Sequence, residues 1–188
     1  MQSQKTLLAL ALATGLGGLA VPAFADVYCP PSLGSVTIDD NVIVTGTCVL
    51  NGTRVKGNVL VQSNGALTVR NKARIEGNIQ ADGGLYVRVL ESARVGGDIQ
   101  LKGLSGQGSS YVKNSTVGGN LQMENNRIPL QAEHNFIDGD LQAFSNTGGV
   151  TIRFNTIDGN LQCKSNRPAP TGGHNRVAGN KEDQCARL

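Results

Sequence analysis

The sequence predicts an all-β protein, a single-stranded parallel β-helix (solenoid) of about seven rungs with about 20 residues in each. The fragment Val/Ile-x-Gly-Asn/Asp-Val/Ile/Leu recurs along the chain, and its glycines are 20 or 22 residues apart, an interval typical of solenoids. Valine and isoleucine dominate the repeated apolar positions and favour strands, whereas a glycine in every unit would cost a helix about 1 kcal/mol each time. The repeated glycines are Gly57, Gly77, Gly97, Gly119, Gly139, Gly159 and Gly179.

The first 25 residues are typical of a secretory signal peptide. Lys5 precedes an apolar run rich in Leu and Ala, and the segment ends on Ala23-Phe24-Ala25, which predicts cleavage before Asp26. No later apolar stretch approaches the ~20 residues that a membrane-spanning helix needs. We therefore expect an exported protein, periplasmic or extracellular, without a transmembrane segment.

The repeat divides the chain into four segments. Residues 1–25 form the signal peptide, 26–52 an N-terminal cap with the first rung, 53–166 the β-helix repeats, and 167–188 the last rung with a C-terminal cap. Proline and cysteine occur at both ends, which indicates that the open edges of the solenoid are capped. A capped monomer is therefore favoured over a filament, although self-association stays open.

The four cysteines of this exported chain predict two disulfides. Cys29 and Cys48 are 19 residues apart, and Cys163 and Cys185 are 22 apart, each close to one period. Residues one period apart lie in adjacent rungs about 4.8 Å apart, within the Cα distance that a disulfide tolerates. We therefore expect the pairs Cys29–Cys48 and Cys163–Cys185, one at each end.

Two apolar columns flank the repeated glycine and are expected to line the core, because alternate residues of a strand face the same side. The column two residues before the glycine is Val55, Ile75, Val95, Val117, Ile137, Ile157 and Val177. The column two residues after it is Val59, Ile79, Ile99, Leu121, Leu141 and Leu161.

The Asn/Asp column directly after the glycine predicts a polar ladder at a bend, since Asx side chains bond to nearby backbone and stacked amides bond to one another. Its members are Asn58, Asn78, Asp98, Asn120, Asp140, Asn160 and Asn180. Two shorter asparagine rows are interpreted as turn columns: Asn126, Asn146 and Asn166, and Asn135, Asn155 and Asn175.

Two outward rows are the candidate ligand-binding surfaces. The glutamines three residues after the glycine form either a solvated amide ladder or a polar strip that binds an extended polymer: Gln80, Gln100, Gln122, Gln142 and Gln162. The arginines before the first apolar column form either a solvated face or a strip for an anionic partner such as an acidic polysaccharide: Arg54, Arg74 and Arg94, followed after a gap by Arg176.

Composition gives little support to other partners. Removing residues 1–25 takes one lysine from the 17 basic residues and none from the 14 acidic ones, which leaves a formal charge of +2. No charge excess points to nucleic acid. Only 4% of residues are aromatic and tryptophan is absent, which disfavours a stacking platform for sugars or bases.

The sequence contains no constellation that predicts catalysis. Asp138 and Asp158 share one column and could act as a carboxylate pair, but no other acids converge on them. His134 and His174 share a column two rungs apart, about 10 Å, too far to bind one metal ion together. We expect no cofactor, no metal and no enzymatic activity, with a carbohydrate-active enzyme of the pectate-lyase type as an alternative.

Segments such as Ala73-Arg74-Ile75-Glu76-Gly77-Asn78-Ile79 and Ala93-Arg94-Val95-Gly96-Gly97-Asp98-Ile99 resemble the repeats of bactofilins, bacterial proteins with a parallel β-helix core. The resemblance is good over residues 53–122. It implies end-to-end polymerisation and a scaffolding role, here in an exported, disulfide-capped variant.

Together these features predict an exported, non-enzymatic β-solenoid that acts as a structural or surface-interaction protein of a bacterial cell envelope or matrix. The alternative is a polysaccharide-binding module that uses the arginine or the glutamine row. An acidic polysaccharide or a cell-envelope component is then the expected partner.

Overall fold

The computed structural model of the protein describes residues 25–188, which form a parallel β-solenoid without a helix. The predicted signal peptide lies outside these residues, apart from Ala25. Twenty-four short strands form three parallel sheets that run along the axis, each strand belonging to one rung. This confirms the predicted fold class.

Each sheet collects one strand from successive rungs. Sheet A contains β1 (Val27–Cys29), β3 (Val42–Val44), β6 (Val59–Val61), β9 (Ile79–Asp82), β12 (Ile99–Lys102), β15 (Leu121–Glu124), β18 (Leu141–Phe144), β21 (Leu161–Lys164) and β24 (Lys181–Asp183). Sheet B contains β4 (Thr47–Asn51), β7 (Ala66–Arg70), β10 (Tyr86–Val89), β13 (Ser110–Lys113), β16 (Leu130–Glu133), β19 (Val150–Arg153) and β22 (Thr171–Gly173). Sheet C contains β2 (Thr37–Ile38), β5 (Arg54–Val55), β8 (Arg74–Ile75), β11 (Arg94–Val95), β14 (Thr116–Val117), β17 (Phe136–Ile137), β20 (Thr156–Ile157) and β23 (Arg176–Val177).

The strand register stacks equivalent repeat positions. Gln100 pairs with Gln80 below and Gln122 above, although the upper step contains two more residues. Arg74 pairs with Arg54 and Arg94 in the same way. Residues one period apart are therefore vertical neighbours, as the repeat predicted, and the additional residues lie in a connection between strands.

Both predicted apolar columns face inward and are buried, which confirms them as core. The exception is Val177, which is only half-buried because its strand, β23, is the last strand of sheet C. Sheet B adds inward residues such as Leu67, Val87 and Ile152. The core is thus a narrow aliphatic column enclosed by three sheets.

The Gly-Asx corner between sheets C and A explains the repeated signature. The backbone N–H of Asn78 donates to Oδ1 of Asn58 (2.9 Å), and the same bond recurs upward along the predicted ladder, with Asn41 as an additional lower member. A Cβ on Gly77 would lie 2.6 Å from that Oδ1. Glycine is therefore required by the close approach of the rung below, whereas either Asn or Asp can supply the accepting oxygen.

The two shorter asparagine rows lie at the other corners, as predicted, with their side chains buried. Asn155 Nδ2 donates to the carbonyl oxygen of Ala132 (2.8 Å) and to Oδ1 of Asn175 (2.9 Å). At the A–B corner, Asn146 repeats this pattern toward Met123 and Asn166. These ladders satisfy backbone carbonyls that the bends turn away from the sheets.

Both ends carry the predicted disulfides, Cys29–Cys48 with a Cα–Cα distance of 5.5 Å and Cys163–Cys185 with 5.2 Å. Leu33 packs against the core at the N-terminal end and Leu188 at the C-terminal end. Disulfides persist in oxidising compartments and are rare in the cytoplasm. The two pairs therefore indicate a non-cytoplasmic environment.

Candidate binding surfaces

An open groove of about 700 Å³ lies on the outer face of sheet A. We call it the sheet A groove. Its inner row consists of Leu60, Gln80, Gln100 and Gln122, which are adjacent in the strand register. Its outer row consists of Gln62, Asp82, Lys102 and Glu124. Four rungs contribute one residue to each row, so the groove runs parallel to the solenoid axis for about 14 Å.

The predicted glutamine row is a continuous column, but its members differ in bonding. Gln142 donates to Gln162 (2.8 Å), and Gln162 donates to Glu182 (2.9 Å). Across residues 25–188, the side chains of Gln80, Gln100 and Gln122 form no intramolecular hydrogen bond. The upper part of the row is therefore the predicted amide ladder, and the lower part is a set of free amides in the groove.

The charges beside these amides alternate along the groove. Lys102 pairs in register with Asp82 below and Glu124 above. Two carboxylates and one ammonium give this wall a net charge near −1. Such a surface favours hydroxyl and amide partners over a polyanion.

The arginine row lies on the outer face of sheet C, and its members differ in whether they pair with Glu76. Arg54 binds Glu76 with an N–O distance of 2.6 Å, and Arg74 lies 3.9 Å from the same carboxylate. The hydrogen bond from Arg54, with the charge of Arg74 in support, holds the pKa of Glu76 below its usual range. No carboxylate of residues 25–188 lies within ion-pair distance of Arg94.

A smaller cavity of about 340 Å³ adjoins these arginines. Its lining includes Arg74, Arg94 and Gly96, at a point where the outward column contains glycine instead of a side chain. Gly118 occupies the same column one rung above, next to Thr116 of the lining. We call this cavity the sheet C notch.

A cation–aromatic cluster on sheet B was missed by the sequence reasoning. The Arg88 guanidinium lies 4.2 Å from the ring centroid of Tyr86 and 5.5 Å from that of Tyr111, and its Nε donates to the carbonyl oxygen of Ser109 (3.2 Å). Arg88 thereby holds the connection that contains the two additional residues. The detectable signal was two tyrosines on neighbouring rungs beside the 22-residue step.

A charge cluster follows on the same face. Glu133 binds Arg153 (3.0 Å) and Lys113 (3.3 Å), and its side chain is only 9% exposed. Burial raises the pKa of Glu133, but the hydrogen bonds from Arg153 and Lys113 outweigh it, so that the pKa is below its usual range. This trio links three rungs of sheet B.

The predicted histidine column contains an aromatic stack. The ring of Phe154 lies 4.9 Å from His134 and 5.1 Å from His174, nearly parallel to both. The two histidines are thus separated by a ring. Asp138 and Asp158 are exposed neighbours in one column, as predicted.

Within residues 25–188, no group of three or more His, Cys, Asp or Glu side chains has the arrangement of a metal site. The same residues contain no helix of the length and apolarity that crossing a membrane requires. No protein-family model, curated protein or solved structure matches this chain.

Proposed function

We propose that the protein is an exported, non-enzymatic β-solenoid that acts as a rigid structural or surface-interaction element of the cell envelope or matrix. The observation that supports this proposal is the continuous Asx ladder, which connects adjacent rungs from Asn41 to Asn180. The nine strands of sheet A extend over about 40 Å along the axis. A disulfide at each end closes this rod.

The test uses the full chain with a C-terminal tag in a bacterial host. We expect the tagged protein in the periplasmic or extracellular fraction, with Asp26 as its first residue and no free thiols. It should also sediment with purified cell-envelope material. Cytoplasmic protein with reduced cysteines would contradict export, and exported protein that never associates with envelope material would contradict the structural role.

The non-enzymatic part of the proposal has its own assay. Asp138 and Asp158 are the exposed acids that a lyase or hydrolase would use, and the described residues place no histidine or arginine ion pair on them. We expect no cleavage of polygalacturonate. Cleavage that the Asp138→Asn variant abolishes would make the protein an enzyme.

The second candidate function is binding of an acidic polysaccharide at the sheet C notch. The supporting observation is Arg94, which lines the cavity together with Glu76 but has no carboxylate within ion-pair distance among residues 25–188. We expect oligogalacturonate to bind with an affinity that falls as salt rises. Arg94→Ala should abolish binding, Glu76→Gln should strengthen it, and Arg176→Ala should leave it unchanged.

A further inference from the structure

The geometry points to a binding site for a neutral, hydroxyl-rich polysaccharide chain in the sheet A groove, with Gln80, Gln100 and Gln122 as the recognition residues. This inference is independent of the structural role proposed above. It also concerns a different face from the notch on sheet C.

The first argument is the unused bonding capacity of the three amides. A glutamine side chain has two N–H donors and a carbonyl acceptor. In the same row, Gln142 and Gln162 direct these groups at each other and at Glu182. Gln80, Gln100 and Gln122 have equivalent neighbours at the same register, yet their side chains bond to none of them. Their donors and acceptors are free for a ligand.

The second argument is periodicity. The three amides lie on adjacent parallel strands, about 4.8 Å from one to the next. A ligand that meets all three must itself be extended along the axis and present hydrogen-bonding groups at a repeating interval. Sugar hydroxyls both donate and accept, as the amides do.

The third argument is charge. The outer row of the groove presents Asp82, Lys102 and Glu124, and the two carboxylates outnumber the ammonium. A uronate or sulfated chain would be repelled there, whereas hydroxyls can bond to charges of either sign. Leu60 adds an apolar surface at the lower end of the groove, which suits the C–H face of a sugar ring.

The experiment is calorimetric titration of the mature protein with a panel of soluble neutral hexasaccharides: maltohexaose, cellohexaose, mannohexaose and chitohexaose. At least one should bind, with a Kd that changes little between about 50 and 500 mM salt because the ligand is uncharged. Affinity should rise from disaccharide to hexasaccharide and level off once the chain fills the groove.

The variants locate the site. Gln100→Ala should weaken binding about 3- to 10-fold, since each lost hydrogen bond has a net value of about 0.5–1.5 kcal/mol. Gln80→Ala/Gln100→Ala should weaken it further. The matched control is Gln142→Ala, which removes the same side chain from the same row outside the groove and should leave Kd unchanged.

The inference is overturned if no neutral hexasaccharide binds, or if Gln100→Ala and Gln142→Ala have equal effects. Binding of oligogalacturonate alone, lost in Arg94→Ala, would also overturn it and would assign recognition to sheet C. Circular dichroism of each variant should match the parent protein, because the substituted side chains lie on the surface.

Discussion

The two halves of the solenoid reach the same period through different corners between sheets B and C. In the corners that lead to Ile75 and Val95, two residues with positive φ precede a buried alanine, as in Asn71, Lys72 and Ala73, whereas the first corner, with Gly52 and the buried Thr53, is of the shorter kind. In the rungs that follow, one residue with positive φ precedes a buried polar side chain, as in His134 and Asn135. The C-terminal corner is shorter by one residue.

The connection between sheets A and B compensates for this difference. In the N-terminal half, Ala81 of sheet A and Arg88 of sheet B are seven residues apart. In the C-terminal half, the residues at the same two positions, Ala143 and Thr151, are eight residues apart. The rung between the halves combines a ten-residue connection with the short corner, so it contains 22 residues. This 22-residue rung marks the change from the longer to the shorter corner between sheets B and C.

Hydrogen bonding explains why a buried polar side chain, asparagine in three of the four C-terminal corners, occupies the short corner. In the long corner, the backbone N–H of Ala73 bonds within the turn to the carbonyl oxygen of Arg70 (3.2 Å). In the short corner, the backbone N–H of Asn155 donates instead to Oδ1 of Asn175 in the rung above (3.0 Å), and the Asn155 side chain donates to the carbonyl oxygen of Ala132 in the rung below (2.8 Å). A side-chain ladder thus replaces a local turn, which makes the C-terminal corners dependent on their neighbours.

The largest expected effect is from Asn155→Ala, which interrupts that ladder. It leaves the buried backbone N–H of Asn135 without its acceptor and removes the side-chain hydrogen bonds of Asn155 to Ala132, Asn135 and Asn175. At about 1–3 kcal/mol for the orphaned N–H and about 0.5–1.5 kcal/mol for each other lost bond, we expect a loss of about 3–5 kcal/mol in the free energy of unfolding. Urea denaturation measures it. Asn64→Ala, at an exposed turn, is the control and should change stability by less than about 0.5 kcal/mol.

Removal of the disulfides tests whether the two ends of the solenoid are equivalent. The separations of 19 and 22 residues predict almost equal losses of about 3 kcal/mol each for Cys29→Ser/Cys48→Ser and Cys163→Ser/Cys185→Ser. Thermal unfolding of both variants gives the comparison. A much larger loss at one end would mean that its cap folds only when crosslinked.

The Gly-Asx corner is common to both halves, so substitutions there should have equal effects. A Cβ at Gly77 meets Oδ1 of Asn58, and a Cβ at Gly139 meets Oδ1 of Asn120, both at less than 3 Å and both beside backbone atoms. We expect about 2–3 kcal/mol of destabilisation for Gly77→Ala and for Gly139→Ala. Unequal losses in urea denaturation would show that the halves differ at this corner too.

The smallest effect is a pH dependence that should be stronger in the C-terminal half. The pKa of Glu133 is lowered in the folded protein, so its contribution is present above the unfolded value of about 4.3 and is lost as pH falls through the folded value. Glu133→Gln should cost about 1 kcal/mol at pH 7 and flatten the stability profile below about pH 4.5. Glu76→Gln should flatten it less, because Glu76 is more exposed. Unfolding curves across this pH range test both variants.

The fold was predictable because the pattern is redundant. Seven copies of the glycine signature fixed the register, and the register fixed both disulfides and both core columns. For the candidate surfaces, the sequence predicted only which side chains share a row. The sequence placed all five glutamines in one column, but nothing in it separated Gln100 from Gln142. Ligand binding by the glutamine row or by the arginine row stays a prediction.

The sequence by itself determined how many residues each turn from Gly57 to Gly179 takes, which residues stack, and where glycine recurs, because these properties depend on a period along the chain. Tertiary structure alone decided which amides are free among residues 25–188, which arginines pair with a carboxylate, and how each rung divides its residues among three corners. Those outcomes depend on side-chain distances between rungs, and positions that are identical in the repeat have different lateral neighbours.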